Sequence, residues 1–599
     1  MWRVECRREE ANFEIIHDTA VPGSSANFRA STFSEILGFR ASHQGNDRAF
    51  VFLDSQGFIA EELTFSELDF RARRIARELS KRNFGGQRAL LLFPSGLDFI
   101  AALFGCFYAG VAAVPVPYLP GKRGLDRLKS IRDDSDPGAL LTLSNLEPDF
   151  AHREEFSQIL ANLVQIQVDR LEAESPIIDL SARSSDCLAL LQYTSGSTSS
   201  PKGVMLNHAN LIANSAMIAE AFGHNRTSRG VGWLPLFHDM GLVGHVLQPI
   251  YFGGLSVLMS PQSFLQRPVR WLQAISAWQA TTSGAPAYAL DLCSKMVRDD
   301  QMQGLELGSL KVLYCGSDMV HADVLERFST RFSPKGFRRR SLLPCFGLAE
   351  ATLLVTGTRS EAGVKTERAV GAWANGAHPA TSCGKPPHGG SIIVVDPDVR
   401  TALAEGAVGE IWVRGPHVGQ GYWRGGLRSN DIFQASLADG SDCYLRTGDL
   451  GFIKDGELYV VGRIKDTIIV NGSKHSAEDI EACATWSHPL LGGLTNAAFG
   501  IDLNNQERAV LVQEIGSAQL KSHELVDAVA QAFAAVTRGH GLRLADLVLV
   551  RTGSLPRTSS GKISRSRARQ LYLTNRFKRI GPSGASSMGD PLMPAIAER

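Results

Sequence analysis

At 599 residues the chain exceeds what one hydrophobic core supports, so two or more domains are expected and a small stapled scaffold is excluded. Sixty-two Lys and Arg against 61 Asp and Glu leave a net charge of +1, which gives no global electrostatic reason for nucleic acid or an anionic membrane as partner. Nine cysteines stand far apart, without the close pairs of zinc sites or redox dithiols, and read as free thiols of a cytoplasmic protein.

Residues 1–30 form a turn-rich lead-in. MWRVECRREEANFEII alternates charged with apolar residues and lacks the continuous apolar core of a signal peptide. From Phe33 onward, amphipathic helical patterns such as FSELDFRARRIARELSKR alternate with short apolar runs: ALLLF (89–93), VAAVPV (111–116), GALLTL (138–143), CLALLQY (187–193) and KVLYCG (311–316). That alternation is the mark of parallel sheets covered by helices. FIAALFGCFYAGVAAVPVPY (99–118) is long and apolar enough to be weighed as a membrane span. Pro115 and Pro117 break its last turns and no second span flanks it, so it reads as a buried helix leading into a buried strand, and no transmembrane segment is expected.

After about residue 385 the pattern changes to short strands separated by Gly/Asp turns, SIIVVDPDVR, GEIWVRG, DCYLRTGDLGFI and GELYVVGRIKDTIIV, which suits a smaller antiparallel unit. Beyond GRIKD, helices (AEDIEACATW, SHELVDAVAQAFAAV) and strands (RAVLVQEI, LADLVLVR) make a set long enough for a domain of its own. The Gly/Pro/Ser-rich tail after 576 reads as mobile.

YTSGSTSSPKG (193–203) follows an apolar strand and precedes the helical pattern HANLIANSAMIAEAF. A Gly/Ser/Thr loop between strand and helix offers backbone N–H groups, hydroxyls and a helix N-terminus to a phosphate. GxxxxGK[ST] is absent, so this is not a Walker A loop. An S-x-x-K from Ser199 to Lys202 is present without the companion motifs of a serine acyl-enzyme. From these residues alone a phosphate cradle, a plain loop and a serine nucleophile all stay open.

With WLPLFHDMGL (233–242), CFGLAEATLL (345–354), YLRTGDLG (444–451), GRIKD (462–466) and LPRTSSGKISR (555–565), the chain resembles the adenylate-forming superfamily of acyl-CoA synthetases, peptide-synthetase adenylation domains and luciferases. LLLFPSGLDFIAALFGCFYAGVAAVPVPY, SGAPAYALDLC and PCFGLAEATLLVTG look most like its fatty acyl-AMP ligases. The resemblance implies an α/β fold: a large N-terminal domain (31–462) of two parallel-type α/β subdomains plus a smaller β-rich subdomain, then a small mobile α+β domain (463–575) and a flexible tail (576–599). It also implies a chemistry. A carboxylate is a poor electrophile, so it attacks the α-phosphorus of ATP, expelling pyrophosphate and leaving a mixed anhydride, with alignment and fixed charge lowering the barrier.

By that resemblance Thr194, Ser195, Gly196, Ser197, Thr198 and Lys202 grip the β- and γ-phosphates, and Glu350 holds Mg²⁺. Asp449 accepts hydrogen bonds from both ribose hydroxyls, and Arg463 reaches ribose and phosphate. Phe346, in the segment continued by Gly347, Leu348 and Ala349, stacks on adenine where relatives more often have tyrosine. Gly316, Ser317 and Asp318 form the adenine-side turn, where relatives usually show Gly-Ala-Glu. Lys562 stabilises charge at the α-phosphate, and Lys465 is the hinge about which the small domain turns between half-reactions. Trp233, Phe237, Met240, Gly241 and Leu242 border the carboxylate pocket with His238 as its gate, and Ser283, Gly284, Ala285 and Pro286 form a neighbouring wall.

The implied substrate is a medium- or long-chain fatty acid. The implied acceptor is the phosphopantetheine thiol of a holo acyl carrier protein; coenzyme A is the alternative, and a catalytically silent adenylate-binding protein is a third possibility. An acidic carrier would want a basic face, for which RFSPKGFRRR (331–340) and SRSRARQ (564–570) are candidates beside the reading of solvated charge runs. Fatty acyl-AMP ligases carry an extra segment after the GLAE helix, thought to restrain the rotation that coenzyme A needs. Here that interval, through TGTRSEAGVKTERAVGAWANGAHPAT, is longer than in luciferase-like members and shorter than in typical acyl-AMP ligases.

Overall fold

Thr64 starts the first long helix, Phe65–Lys81: its hydroxyl accepts from Glu67 N at 3.2 Å while the Glu67 carboxylate accepts from Thr64 N at 2.8 Å, a reciprocal cap on two otherwise unpaired donors. The computed structural model describes residues 30–118, 122–146, 153–172, 184–194, 201–359, 363–369, 379–440, 442–470, 473–492, 494–503, 506–520, 523–558 and 562–580. Most of the lead-in and of the tail lie outside these residues.

The apolar stretch weighed as a membrane span divides into a helix, Leu97–Ala109, buried along almost its whole length, and a strand, Ala112–Pro117. Among the described residues no helix is long and apolar enough to cross a membrane. Pro115 and Pro117 sit inside a parallel sheet, opposite Leu91 and Phe93. Proline has no N–H for a second neighbour, and on its other side this strand registers only Ala113 with Leu190.

Two parallel-type sheets form the body. The first has six strands, in the order Val164–Gln167, Ala139–Thr142, Arg88–Phe93, Ala112–Pro117, Leu188–Tyr193 and Gly203–Asn207, all parallel except the last. The second has eight, ordered Leu354–Gly357, Leu342–Gly347, Val312–Cys315, Thr282–Ala285, Arg229–Gly232, Leu255–Met259, Arg48–Leu53 and Ile59–Thr64, with an antiparallel strand at each edge. Buried side chains of both sheets merge into one core through the helix Leu97–Ala109. A four-stranded antiparallel sheet, Ser391–Val395, Gly409–Arg414, Leu445–Lys454 and Glu457–Arg463, follows.

The C-terminal region packs helices Ala477–Trp486 and Leu525–His540 on the strands Asn496–Leu503, Gln506–Ile515 and Asp546–Arg551, over a separate core that includes Ile480, Leu511, Ala532 and Val536. The fold is thus mixed α/β with parallel-containing sheets, a large N-terminal part and a smaller C-terminal region. One detail departs from the sequence reading: Cys443 is disulfide-bonded, whereas Cys106, Cys187, Cys293, Cys315, Cys345, Cys383 and Cys483 are free thiols.

Candidate active site

Segment 193–203 joins two antiparallel strands, with Tyr193 opposite Gly203. The helical pattern HANLIANSAMIAEAF is the helix His208–Phe222, capped by Asn207, but a strand that the sequence reading leaves unassigned, Gly203–Asn207, stands between it and the loop. The N-terminus of that helix therefore lies beyond a strand and not directly behind Lys202. Ser195, Gly196, Ser197 and Thr198 lie outside the described residues. Thr194 and Lys202 border a cavity of about 1800 Å³, and the Lys202 ammonium sits 4.7 Å from the centroid of the Tyr422 ring.

Tyr422 also donates its hydroxyl to Glu350 Oε1 at 2.7 Å. The segment that delivers it, Gly419–Trp423, is stitched to both neighbours. Gly419 N donates to Glu350 O (2.9 Å), Gln420 N to Met205 O (2.8 Å) and Trp423 N to Gly203 O (2.7 Å), while Met205 N donates to Gly421 O (2.9 Å). Burial raises the Glu350 carboxyl above the usual range, and the charges of Asp239 and Asp449 push the same way against the Tyr422 hydrogen bond. A cation would relieve that repulsion. Among the described residues no group of three His, Cys, Asp or Glu side chains could hold a metal. Mg²⁺ fits such a site all the same, because it takes one or two carboxylates and completes its octahedron with water and substrate phosphates.

Asp449 and Arg463 are cross-strand partners, joined from Arg463 Nε to Asp449 Oδ1 at 2.7 Å. Asp449 is 4% exposed. Burial raises its carboxyl, opposed first by Arg463, and Asp449 in turn raises the Arg463 guanidinium. The turn before it is fixed by buried Glu410, which accepts from Gly448 N (3.1 Å) and pairs with Arg446 (2.7 Å). Lys465 occupies the one-turn helix Ile464–Asp466, at the junction where the antiparallel sheet ends and the C-terminal strands begin.

From the C-terminal region Lys562 enters the same cavity. Its ammonium donates to Ser317 O and lies 3.4 Å from Asp318 Oδ1. Ser317 holds a left-handed φ of 75°, unusual for a residue with a Cβ and costing about 1–3 kcal/mol. Gly316, Phe346, Gly347, Leu348 and Ala349 line the cavity beside this turn.

The apolar part of the wall includes Trp233, Met240, Ile218, Phe222, Tyr314 and Leu353, with His238, Gly241 and Pro286 also on the lining. Gly241 is needed sterically, since a Cβ there would fall 2.1 Å from Pro235 O. Five expected pocket residues lie off the cavity. Leu242 is core. Phe237 leans on His238, ring centroids 4.7 Å apart. Ser283, Gly284 and Ala285 belong to a central strand of the larger sheet, buried on both faces: Ser283 Oγ donates to Val231 O at 2.6 Å and accepts from Trp271 Nε1 at 3.0 Å. Gly284 acts from behind, because a Cβ there would come within 1.9 Å of the Tyr314 ring that faces the cavity.

A family model described as AMP-binding enzyme matches residues 39–423. The chain belongs to the AMP-binding enzymes. It is similar to JamA, a medium-chain-fatty-acid–[acyl-carrier-protein] ligase of Moorena producens, 40% identical over 91% of this chain and 95% of JamA. It is also similar to FadD21 of Mycobacterium tuberculosis, a putative fatty-acid–CoA ligase, 36% identical over 92% of this chain and 99% of that one. Among solved structures it resembles the fatty acyl-adenylate ligase of Legionella pneumophila in complex with acyl adenylate and pyrophosphate, at 35% identity and a TM-score of 0.70, covering 91% of this chain and 96% of that one.

Three side chains of this AMP-binding enzyme join the site without having been read from sequence. Tyr422 lies in VGQGYWRGG, where an aromatic among glycines looks like a turn residue. Asp239 follows His238, lines the cavity, and has its carboxyl raised by burial; adjacency to an expected site residue was its only signal. Asp466, within GRIKD, holds Arg565 at 3.1 Å.

Proposed function

We propose that this enzyme activates a medium- or long-chain fatty acid with ATP and passes the acyl group to a holo acyl carrier protein. The substrate carboxylate attacks the α-phosphorus, the bond from that phosphorus to the bridging oxygen breaks, and pyrophosphate leaves. The carrier thiol, losing its proton, then attacks the acyl carbonyl, and AMP departs with the anhydride oxygen. The observation that carries the reading is the convergence of Lys562, from the C-terminal region, on the cavity that also presents Asp449–Arg463 and Glu350–Tyr422.

In this reading Lys562 offers its ammonium to charge building at the α-phosphate, Asp449 takes the ribose, Phe346 stacks on adenine, and Lys202 draws on the leaving pyrophosphate. Glu350 would hold Mg²⁺, which when bound neutralises phosphate charge. The apolar wall from Trp233 to Tyr314 keeps water from the anhydride and takes the alkyl chain. Residues 31–462 act as the body and 463–575 as the moving domain, with the hinge Lys465 at the start of the latter. The free thiols support a cytoplasmic setting; the disulfide at Cys443 does not.

The choice of carrier protein draws support from the likeness to JamA; the FadD21 name points to coenzyme A. The basic run 331–340 adds little, since Arg331 pairs with Asp299 (2.6 Å) and Arg339 with Glu326 (2.8 Å). The restraint segment is pinned through its described part, where Lys365 meets Glu457 at 2.5 Å and Glu367 meets Lys454 at 2.9 Å. Both partners lie on the antiparallel sheet that ends at the hinge.

The test supplies purified protein with ATP, Mg²⁺, dodecanoic acid and either coenzyme A or a panel of holo carrier proteins. Acyl-adenylate should accumulate, acylate a carrier and yield little acyl-CoA. Efficient acyl-CoA formation overturns the acceptor, and no adenylate overturns the enzyme in favour of a silent binder. Deleting 358–380 should raise acyl-CoA formation; no rise removes the restraint as its cause.

A further inference from the structure

Arg565 stands three residues after Lys562 and opens the helix Arg565–Leu573. Its side chain is 19% exposed, and three carboxylates converge on it, each 16% exposed or less. Nε and Nη2 fork onto Glu481, both at 2.7 Å. Nη1 reaches Glu478 Oε1 at 2.6 Å and Asp466 Oδ2 at 3.1 Å. These acids come from two places. Glu478 and Glu481 sit one turn apart on the helix Ala477–Trp486, and Asp466 ends the turn that holds Lys465. Glu481 is anchored further by Ala498 N at 2.8 Å.

One guanidinium therefore ties three parts of the C-terminal region together: the residue next to the hinge, the first helix, and the segment bearing Lys562. A planar fork fixes direction as well as distance, which a lysine at this place could not do. Three acids against one cation also repel one another once the guanidinium is gone, so the arrangement holds only while Arg565 is in it. Every contact lies on the C-terminal side of Lys465, so the cluster travels intact when that turn rotates.

We propose that Arg565 is a positioning residue that sets Lys562 rigidly against the hinge turn, so that rotation at Lys465 delivers the ammonium to the α-phosphate. This inference rests on the roles given above to Lys562 and Lys465. A slack connection would leave the domain able to turn and the lysine displaced, and misplacement by about 1 Å costs on the order of 100-fold in rate.

The test uses the full chain as wild type, Arg565→Lys, Lys562→Ala and the double variant. Pyrophosphate release with ATP, Mg²⁺ and dodecanoic acid reads the first step. Transfer of chemically supplied dodecanoyl-adenylate to a holo carrier protein reads the second, which does not need Lys562. Arg565→Lys should lower the first step by about 10- to 100-fold, with KM for ATP and dodecanoate and the rate of transfer each within about threefold of wild type. The double variant should be no slower than Lys562→Ala, because a residue acting only through Lys562 has nothing left to act on. Unchanged pyrophosphate release in Arg565→Lys, a further loss in the double variant, or an equal loss in both half-reactions overturns the proposal. Full pyrophosphate release by Lys562→Ala overturns the role of Lys562 and this inference with it.

Discussion

The hydroxyl of Tyr422 donates to Glu350 at 2.7 Å while the face of the same ring lies 4.7 Å from the Lys202 ammonium. One side chain thus touches both the acid proposed to hold Mg²⁺ and the cation of the phosphate loop. Removing the hydroxyl alone separates its two contacts. Tyr422→Phe should keep the ring under Lys202 and raise KM for Mg·ATP by about tenfold, the equivalent of one hydrogen bond to a charged group at about 1.5 kcal/mol. Initial rates at varied Mg·ATP check this, and an unchanged KM would remove Tyr422 from the site.

Arg463→Met leaves the Asp449 carboxylate buried without its partner. For a fully buried pair this costs about 3–5 kcal/mol, but Arg463 is 45% exposed, so solvent screening reduces the expected loss to about 1 kcal/mol. Urea midpoints measure that loss. KM for ATP should rise in the same variant, since Asp449 then carries a weaker claim on the ribose.

Gly284→Ala tests the wall from behind. The added methyl collides with the Tyr314 ring, itself packed flat against Phe222 at a 5.5 Å centroid distance. Overpacking of this kind costs about 1–3 kcal/mol. Displacement of Tyr314 into the cavity should raise KM for long fatty acids more than for short ones, and a uniform change across chain lengths would count against Tyr314 facing the alkyl chain.

Three buried histidines set an acid limit on stability. Burial lowers His224 to about 3, and His245 and His417 to about 4. The unfolded chain, with histidine near 6.5, therefore binds more protons than the native state between these values. Stability contributed by the neutral rings is complete above pH 6.5 and falls as pH drops toward 4. Each histidine should account for about 1–2 kcal/mol between pH 7 and pH 5. Urea titrations across that range read the slope, and His417→Gln should remove about 1–2 kcal/mol of the change between pH 7 and pH 5.

What could be read from residues and what could not follows from the range of the interactions. Asp449, Glu350 and Lys562 stand in short motifs whose meaning is local, and the helix and strand alternation announces covered parallel sheets because each element carries its own pattern. Tyr422 meets Glu350 across 72 residues, and no local pattern encodes that. Ser283–Ala285 belongs to a strand buried on both faces, which lacks the alternation that would tell wall from core. The helical pattern HANLIANSAMIAEAF coincides with the helix His208–Phe222, whereas the short edge strand Gly203–Asn207 before it carries no pattern long enough to announce itself.

That edge strand has a consequence for how the polypeptide can be divided. Gly203–Asn207 closes its sheet and is covered by Gly419–Trp423, which arrives more than 200 residues later from beside the antiparallel unit. Composition suggests a cut near residue 385, yet a fragment ending there would leave an unprotected β-edge beside the apolar cavity, an invitation to aggregate. The unit that folds without exposing it extends at least through Trp423, so truncation for expression or crystallisation should respect residue 423 and not the change of pattern at 385.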